Sequence, residues 1–406
     1  MEVRAGYKET EVGIIPREWN VKAVHEIGQI KTGPFGTLLK ASEYSGSHGV
    51  PLISVGEVGA GVFRVTDRTP RVPENVVRRL PQYVLRTGDI VFGRKGAVDR
   101  SALVSRAEDG WFLGSDGISI RPSSRCHPPY LAAQLQSQAV QSWLIQNAIG
   151  TTMPSLNQGI LSRVQIPYAS EAEQRAIAAA LSDVDALLSG LERLIAKKRD
   201  LKKAAMQQLL TGQTRLSGFS GEWRVKRMGS VLRFQVGFPF ASSFFNAAEQ
   251  GLRLVKNRDL KSDDQIVHYT GAYHDAFLVR NGDVLIGMDG DFLPCRWKKG
   301  TALLNQRVGR VVPGAGLDRV FAYYYLIEPL KEIEAATSST TVKHLSHGDV
   351  EGIDRPTPQI DEQAAIATVL SDMHAELSAL EARRDKTRAL KQAMMQELLT
   401  GRTRLV

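Results

Sequence analysis

Two long stretches of the chain place apolar residues at alternating steps of four and three, which is the spacing of a seam along one side of a helix. In the first stretch these positions are Ile177, Leu181, Val184, Leu188, Leu191 and Ile195, and after the polar residues Lys198 and Lys202 the seam resumes at Ala205 and Leu209. In the second stretch they are Ile366, Leu370, Met373, Leu377 and Leu380, and after the polar residues Arg384, Thr387 and Lys391 the seam resumes at Met394 and Leu398. The pattern predicts two helices of about 40 residues, each about 60 Å long.

The two stretches are copies of one another. Residues 173–216 align without a gap with residues 362–405 at a constant offset of 189, and 27 of these 44 positions are identical. A repeat of this length indicates two similar halves, each made of a globular segment followed by a long helix. Because a solitary helix would expose its apolar seam, each copy needs a partner, and pairing of the copies about a two-fold axis would make them antiparallel. A coiled coil that merely holds the globular segments together is the simpler interpretation of the same pattern.

The repeat divides the chain into four predicted parts. They are a first globular domain at 1–167, a first helical region at 168–215, a second globular domain at 216–357 and a second helical region at 358–406. The predicted fold class is α+β. It has two mixed α/β domains separated by two long helices that form an antiparallel coiled coil, with internal duplication and pseudo-two-fold symmetry.

Short apolar runs between glycine turns predict strands in the globular domains. The predicted strands in the first domain are Val50–Val55, Val62–Val65, Asp89–Phe92 and Gly117–Arg121. Longer apolar stretches predict a helix in each domain, at Tyr130–Asn147 and Arg319–Ala335.

The ends of the long helices carry their own signals. Ser170 and Glu173 have the spacing of a capping box, and Gly212 and Gly401 follow a leucine pair where a left-handed residue would end each helix. We expect one set of apolar positions to pack the helices together or against a partner. These are Ile177, Leu181, Leu188, Leu209, Leu210, Ile366, Leu370, Leu377, Leu398 and Leu399.

Charge, cysteine content and the distribution of apolar residues indicate which kind of partner and which cellular compartment to expect. The 406 residues carry a net charge of +9, which favours an acidic partner such as nucleic acid, although a merely basic protein fits equally well. The two cysteines, Cys126 and Cys295, lie far apart and predict neither a disulfide framework nor a metal site. No stretch is apolar enough for a signal core or a membrane span, so we expect a cytoplasmic protein that binds no membrane.

Short motifs recur in the same order in both halves. Each half has a Gly-Asp-apolar turn, at Gly88-Asp89-Ile90 and Gly282-Asp283-Val284, and a long helix that begins Glu-Gln-x-x-Ile and ends Leu-Leu-Thr-Gly. The first half also has Gly-Thr-Thr-Met-Pro-Ser-Leu at 150–156, where the second half has a different sequence at 338–343. In this order the motifs resemble the specificity subunit of type I restriction-modification enzymes, and the resemblance covers essentially the whole chain.

The resemblance implies a function and a set of partners. Each globular segment would be a target recognition domain that reads one half of a split sequence in double-stranded DNA. The long helices would separate the two domains and bind two methylation subunits, to which restriction subunits can be added. S-adenosylmethionine, ATP and Mg would then belong to the partner subunits, and this chain would need no cofactor of its own.

Two motifs raise the rival interpretation of an enzyme. His127-Pro128-Pro129-Tyr130 is similar to the Asn/Asp-Pro-Pro-Tyr motif of amino-methylating enzymes, but histidine lacks the oxygen that would accept from the target amino group. Gly56-x-x-Gly59-Ala60-Gly61 lacks the apolar helix that a nucleotide-binding loop needs after it, and no phosphate-binding GxxxxGK[ST] loop occurs. We therefore expect a non-catalytic subunit. A stand-alone adenine-N6 DNA methyltransferase and a non-enzymatic coiled-coil DNA-binding scaffold are the alternatives.

Arginine and lysine side chains at base edges and phosphates are the commonest protein contacts to DNA. In the first domain the candidates for such contacts are Arg78, Arg79, Arg94, Lys95 and Arg100. In the second domain, Met288-Asp289 falls opposite Arg94-Lys95, so that loop cannot play the same electrostatic role. The candidates there are Lys256, Arg258, Lys261, Arg296, Lys298 and Lys299.

Overall fold

The computed structural model describes residues 4–150, 152–337 and 343–406, so Thr151 of the first 150–156 motif and residues 338–342 of its counterpart lie outside the described residues. The chain divides into two compact units. The first consists of Met1–Glu192 and Arg383–Val406, and the second of Arg193–Ala382. Each unit thus contains one globular domain and a part of both long helices.

The first unit contains short strands and helices followed by the beginning of one long helix. The strands are β1 (Tyr7–Thr10), β2 (Gly13–Pro16), β3 (Asn20–Ala23), β4 (Gly28–Thr32), β5 (Val50–Ile53), β6 (Arg71–Val72), β7 (Ile90–Gly93), β8 (Ser101–Leu103), β9 (Phe112–Leu113), β10 (Gly117–Pro122) and β11 (Gln165–Tyr168). The helices are α1 (Val24–Ile27), α2 (Glu74–Arg79), α3 (Pro128–Leu135), α4 (Gln138–Asn147), α5 (Gln158–Ser162) and α6 (Glu171–Leu209), of which α6 continues into the second unit.

The second unit repeats this succession. Its strands are β12 (Arg224–Arg227), β13 (Leu232–Val236), β14 (Phe245–Asn246), β15 (Leu252–Val255), β16 (Val267–Tyr269), β17 (Leu278–Val279), β18 (Val284–Gly287), β19 (Pro294–Arg296), β20 (Ala302–Leu304), β21 (Val308–Pro313) and β22 (Asp354–Thr357). Its helices are α7 (Arg319–Tyr325), α8 (Ile327–Ala336), α9 (His347–Glu351) and α10 (Ile360–Leu399), of which α10 ends in the first unit.

Both units contain the same antiparallel four-stranded sheet. Its strand order is β4-β10-β7-β8 in the first unit and β13-β21-β18-β19 in the second. Each unit also contains a mixed sheet, β6-β5-β9 in the first unit and β14-β16-β15-β20-β17 in the second. Each mixed sheet has one parallel pair, β5 with β9 or β15 with β20. The four-stranded sheet buries its apolar side chains against the helix that follows it, α3 or α7. The predicted mixed α/β domains are therefore confirmed.

The long helices pair antiparallel inside each unit, as predicted. In the first unit the beginning of α6 runs beside the end of α10, and Asp185 pairs with Lys391 at 2.6 Å. In the second unit the end of α6 runs beside the beginning of α10, and Lys198 pairs with Glu376 at 2.6 Å. Buried seam positions such as Ile195 lie on the same helices.

Three local predictions were wrong, each for a local reason. The helix predicted at Tyr130–Asn147 is two helices, because the hydroxyl of Ser137 caps α4 and accepts from the Val140 amide at 3.4 Å. The helix predicted at Arg319–Ala335 also breaks, and Pro329 in the first turn of α8 has no amide hydrogen with which to continue α7. The strand predicted at Val62–Val65 is a loop, in which Phe63 forms an isolated bridge with Val58 and the preceding Gly61 amide donates to the Ser101 carbonyl at 2.9 Å.

The helix ends match the predictions in part. Gly212 and Gly401 adopt positive φ angles of 73° and 69°, as a left-handed cap requires. The hydroxyl of Ser170 accepts from the Glu173 amide at 3.3 Å, but the Glu173 carboxylate bonds to side chains elsewhere instead of closing the predicted capping box.

Candidate nucleic-acid interface

The loop that follows β7 in the first unit, residues 94–96, is fixed by backbone hydrogen bonds from two sides; we call it the β7 loop. The Arg94 amide donates to the Asp116 carbonyl at 2.8 Å, just before β10 begins. The Gly96 amide donates to the Pro154 carbonyl, and the Leu156 amide to the Arg94 carbonyl, both at 2.8 Å. The 150–156 motif therefore lies directly against the loop that carries the predicted DNA-binding pair.

The side chains of the β7 loop combine positive charge with an aromatic surface. The Arg94 guanidinium lies 5.4 Å from the centre of the Phe35 ring, and its Nε is buried without a hydrogen-bond partner among the described residues. The Lys95 ammonium pairs with the Asp116 carboxylate at 3.4 Å. Phe35 is 54% exposed and Met153 is 61% exposed. Such a surface can donate to phosphates and base edges and can stack against a sugar or a base.

The second unit builds the same backbone around its β18 loop, residues 288–290. The Met288 amide donates to the Arg307 carbonyl at 3.0 Å, and the Gly290 amide donates to the Lys343 carbonyl at 3.1 Å. The side chains differ from those of the first unit, because Asp289 accepts from the Arg307 guanidinium at 3.1 Å and lies 3.0 Å from Nδ1 of His344. Sequence reasoning missed Asp116, Arg307 and His344, since each lies far along the chain from the loop that it contacts.

The Gly-Asp turns before these strands have a structural role. Gly88 adopts a φ of 96°, which favours glycine. The buried Asp89 carboxylate, 2% exposed, accepts from the Arg121 guanidinium on β10 at 2.6 Å. In the second unit Asp283 pairs with Arg310 on β21 at 3.4 Å. These aspartates tie neighbouring strands together and face their own sheet.

The other predicted cations of the first domain lie apart from the β7 loop contacts. Arg78 pairs with Glu74 one turn earlier on α2, at 3.3 Å, and Arg79 pairs with Glu43 at 2.6 Å. Arg100 is exposed in the turn before β8. The structure thus assigns Arg79 a local structural contact and leaves Arg78 and Arg100 on the surface.

Several predicted cations of the second domain are paired with nearby acceptors. Lys261 pairs with Asp291, and Lys299 pairs with Asp263 at 2.7 Å. The guanidinium of Arg258 donates to the Gln265 side chain at 2.5 Å. The two ion pairs join the segment between β15 and β16 to the loops that follow β18 and β19, and the Arg258 contact lies within that segment.

The remaining three candidates differ in their surroundings. The Lys256 ammonium lies 4.7 Å from the centre of the Phe245 ring. Its pKa is lowered mainly by burial and also by repulsion from Arg258. Arg296 is half-buried at the end of β19, and Lys298 is exposed two residues later.

The glutamates that begin the two repeat helices hold a separate buried cluster in each unit. In the first unit the Glu173 carboxylate, 2% exposed, accepts from the Trp19 indole at 2.8 Å and pairs with Arg404. Arg404 comes after α10, so the tail of one helix is tied to the start of the other. In the second unit Glu362 has the same two kinds of partner, Trp223 and Arg215. We call these clusters the Glu-Trp-Arg clamps.

The glutamines that follow these glutamates fix the globular domains to the helices. Gln174 is fully buried, and its side-chain oxygen accepts from the His127 amide at 2.9 Å, directly before α3. Gln363 is buried in the same way and accepts from the Asp318 amide at 2.8 Å, directly before α7. Each residue of the Glu-Gln pair therefore has an architectural role.

The apolar positions predicted to pack the helices are mainly buried within the units. Leu398 and Leu399 lie with Ile177, Leu181 and Trp19 in a core of the first unit. The second unit buries their counterparts together: Leu209, Leu210, Ile366 and Leu370. Leu377 is also buried and Leu188 is half-buried. The leucines of these two cores join the helices to the globular domains.

Three exposed positions of the repeat helices carry the same residues in both copies. In the second unit, α6 exposes Lys197, Leu201 and Ala204, and Leu201 is 47% exposed. The counterparts on α10 in the first unit are Lys386, Leu390 and Ala393, and Leu390 is 55% exposed. The same exposed leucine therefore occurs at matching positions of the two copies, once in each unit.

The motif His127-Pro128-Pro129-Tyr130 has a structural role. The two prolines form the first turn of α3, where their missing amide hydrogens cost little. Tyr130 is fully buried, its hydroxyl donates to the Pro167 carbonyl at 2.8 Å, and burial raises its pKa. A tyrosine in this position cannot stack on a target base.

Within the ranges that the structure describes, no group of three or more His, Cys, Asp and Glu side chains could hold a metal ion. None of the described helices is long and apolar enough to cross a membrane.

Comparison with known proteins gives a consistent result over nearly the whole chain. The profile of the type I restriction modification DNA specificity domain matches twice, at residues 16–199 and 221–388. The EcoBI specificity subunit of Escherichia coli is 33% identical over 205 residues, which cover 49% of this chain and 43% of that protein. The putative MjaX specificity subunit of Methanocaldococcus jannaschii is 23% identical over 98% of this chain and 97% of its own length.

Solved structures share the fold. The S subunit of a type I restriction-modification system from M. genitalium superposes with a TM-score of 0.63 at 14% identity, and the match covers 98% of both chains. A chain from a structure on complex assembly and conformational transition of the type I R-M system superposes with a TM-score of 0.56 at 19% identity. That match covers 95% of this chain and 99% of the other.

Proposed function

The chain belongs to the type I restriction-modification DNA specificity family, and we propose that it reads a split, asymmetric target in double-stranded DNA for a methylation complex. One observation carries the proposal most directly. The two units hold the β7 and β18 loops by the same backbone hydrogen bonds, yet the loops bear Arg94-Lys95 in one case and Met288-Asp289 in the other. A common backbone that carries different side chains suits two domains that read different half-sites.

The proposed partners are two methylation subunits, with restriction subunits added in a larger complex. The support is the exposed face shared by Leu201 and Leu390, which occurs once in each unit. Each apolar side chain is flanked by a lysine four residues earlier, Lys197 or Lys386, and such a pair suits a partner helix with an apolar seam and acidic flanks. The EcoBI relative, named a specificity subunit, fits a role in such an assembly.

In this proposal the chain performs recognition and assembly and the partners perform the chemistry. S-adenosylmethionine, ATP and Mg would be bound by the partner subunits, and this chain would bind no cofactor. The buried position of Tyr130 argues against the rival interpretation of this chain as a methyltransferase, because the Pro-Pro-Tyr sequence has no access to a base.

The DNA-binding part is tested by replacing the β7 loop cations. Arg94→Ala with Lys95→Ala should weaken binding to targets with the correct first half-site by about 1–3 kcal/mol and leave the preference for the second half-site intact. Competition binding of the full chain with its methylation subunits to randomised DNA measures both effects. A charge-matched control, Arg17→Ala with Lys22→Ala, alters exposed cations near the separate β3–β11 pair. Unchanged affinity for both half-sites would show that the β7 loop does not face DNA.

The partner contact is tested by mass measurement of the reconstituted complex. Leu201→Glu and Leu390→Glu should each remove one methylation subunit, and the double variant should remove both. Ile14→Glu is the control, since Ile14 is also an exposed apolar side chain, 41% exposed, but lies on β2. A wild-type chain that binds no more than one partner at saturation would contradict the proposed stoichiometry.

A further inference from the structure

The two units carry one ion pair at the same position with opposite polarity. In the first unit Lys95 of the β7 loop pairs with Asp116 before β10. In the second unit Asp289 of the β18 loop pairs with Arg307 before β21. The loop supplies the cation in one unit and the anion in the other.

The strand register shows that these positions are equivalent. Gly93 pairs with Gly117 across β7 and β10, and Gly287 pairs with Val308 across β18 and β21. Lys95 and Asp289 each lie two residues after the glycine of β7 or β18 in this register. Asp116 and Arg307 each lie directly before the partner of that glycine on β10 or β21. The loop residues Lys95 and Asp289 also form equivalent bridges, to Ser155 and to His344. The local backbone is the same, and the charges are exchanged.

These pairs contribute little to holding the loops. The side chains of Lys95 and Asp116 are 49% and 38% exposed, and those of Arg307 and Asp289 are 56% and 23% exposed. Ion pairs as exposed as these stabilise a protein weakly, whereas the backbone hydrogen bonds of both loops are independent of side-chain charge. The charges are therefore free to differ between the units without changing the fold.

We propose that the polarity of this ion pair determines the class of base that each domain reads at its loop. This inference rests on the proposed function in DNA recognition. In the first domain Lys95, beside Arg94, offers donors to the acceptor edge of guanine. In the second domain Asp289 offers an acceptor to a base with an exposed amino group, cytosine above all, while Arg307 and His344 orient its carboxylate.

The test reverses the polarity in one domain while keeping the pair. The double variant Lys95→Asp with Asp116→Arg is compared with the polarity-preserving control Lys95→Arg with Asp116→Glu. Each full chain, with its methylation subunits, selects sites from randomised DNA that are then sequenced. The reversed variant should change the base preference at one or two positions of the first half-site by about 5- to 150-fold, the range of a base contact. The reversed variant should select the same second half-site as the wild type, and the control variant should select the wild-type sequence at both half-sites.

A reciprocal variant, Asp289→Lys with Arg307→Asp, should alter the second half-site alone. If wild-type protein selects no split target, the proposed function fails and this inference fails with it. If wild-type protein selects a split target and the reversed variant selects the same one, the function stands and the inference is overturned. A change in both half-sites would also overturn it. The neutral variant Lys95→Gln with Asp116→Asn should melt like the wild type, and failure to fold would show that the pair is structural and refute the proposal.

Discussion

The Glu-Trp-Arg clamp of the first unit offers a direct test of how the helix tail is held. Arg404→Ala removes the guanidinium that pairs with the Glu173 carboxylate, while the Trp19 indole remains as a donor at 2.8 Å. The carboxylate is 2% exposed, so removal of the guanidinium leaves a largely buried negative charge without its charged partner. The expected consequence is loss of stability at the start of α6, where Glu173 lies.

The size of the effect follows from burial. Removal of one partner from a buried ion pair typically costs 3–5 kcal/mol, because the remaining charge is left without compensation; here we expect about 3 kcal/mol. The lower value applies since the Arg404 side chain is 30% exposed and the Trp19 hydrogen bond persists. At about 1.4 kcal/mol for each factor of ten, the amides at the start of α6 should exchange roughly 100-fold faster.

Hydrogen-deuterium exchange with mass spectrometry measures the exchange rates of individual segments, so that an effect in one unit can be separated from an effect in the other. Arg402→Ala is the control, because Arg402 is 54% exposed and its contact with Glu397 is 3.8 Å long. Arg215→Ala should accelerate exchange at the start of α10 in the second unit, where its partner Glu362 lies. The control should change the exchange rates by less than about threefold. If Arg404→Ala has an equally small effect, the clamp does not stabilise the unit as argued.

Three further predictions concern stability. Tyr130→Phe should lower the free energy of unfolding by about 1–2 kcal/mol, because it leaves the Pro167 carbonyl without its hydroxyl donor, while methylation by the folded complex persists. Burial, together with repulsion from Lys202, lowers the pKa of His374 in the folded state. The contribution of its neutral ring to stability is therefore fully present above about pH 6.5, and it is lost as the pH falls towards the folded-state pKa. His374→Asn should therefore flatten the decline in melting temperature between about pH 7.5 and pH 5.5. Gly88→Ala should cost about 1–2 kcal/mol in chemical denaturation, since φ at this position is 96°.

The sequence predicts the long helices well because their signal is repeated many times. A seam that recurs over about 40 residues, in two gapless copies, leaves little room for another structure. The antiparallel pairing follows from the same pattern and is visible in ion pairs such as Asp185 with Lys391. Strands bounded by Gly-Asp turns are also found within one or two residues of their predicted positions, for example β7 at Ile90–Gly93.

Short elements, and contacts between residues that lie far apart in the sequence, are harder to predict, because their signals are local or absent. A serine cap in the middle of an apolar stretch breaks the first predicted helix at Ser137, although the periodicity alone favours continuation. The ion pair of Lys95 with Asp116 cannot be identified from spacing, since it depends on the register of β7 with β10. Two of the candidate cations, Arg79 and Lys261, are paired with acidic side chains that the sequence does not place beside them.

The distribution of roles among residues explains how such a protein can read different targets with one architecture. The motifs shared by both halves are structural: Asp89 ties two strands, Gln174 fixes a domain to its helix, and Glu173 holds the tail of the other helix. The side chains that differ between the halves, Lys95 and Asp289, are 49% and 23% exposed and lie on loops whose backbone bonds are the same. Because stability depends mainly on the first group and the proposed base contacts on the second, substitutions in the loops should change the target without unfolding the chain.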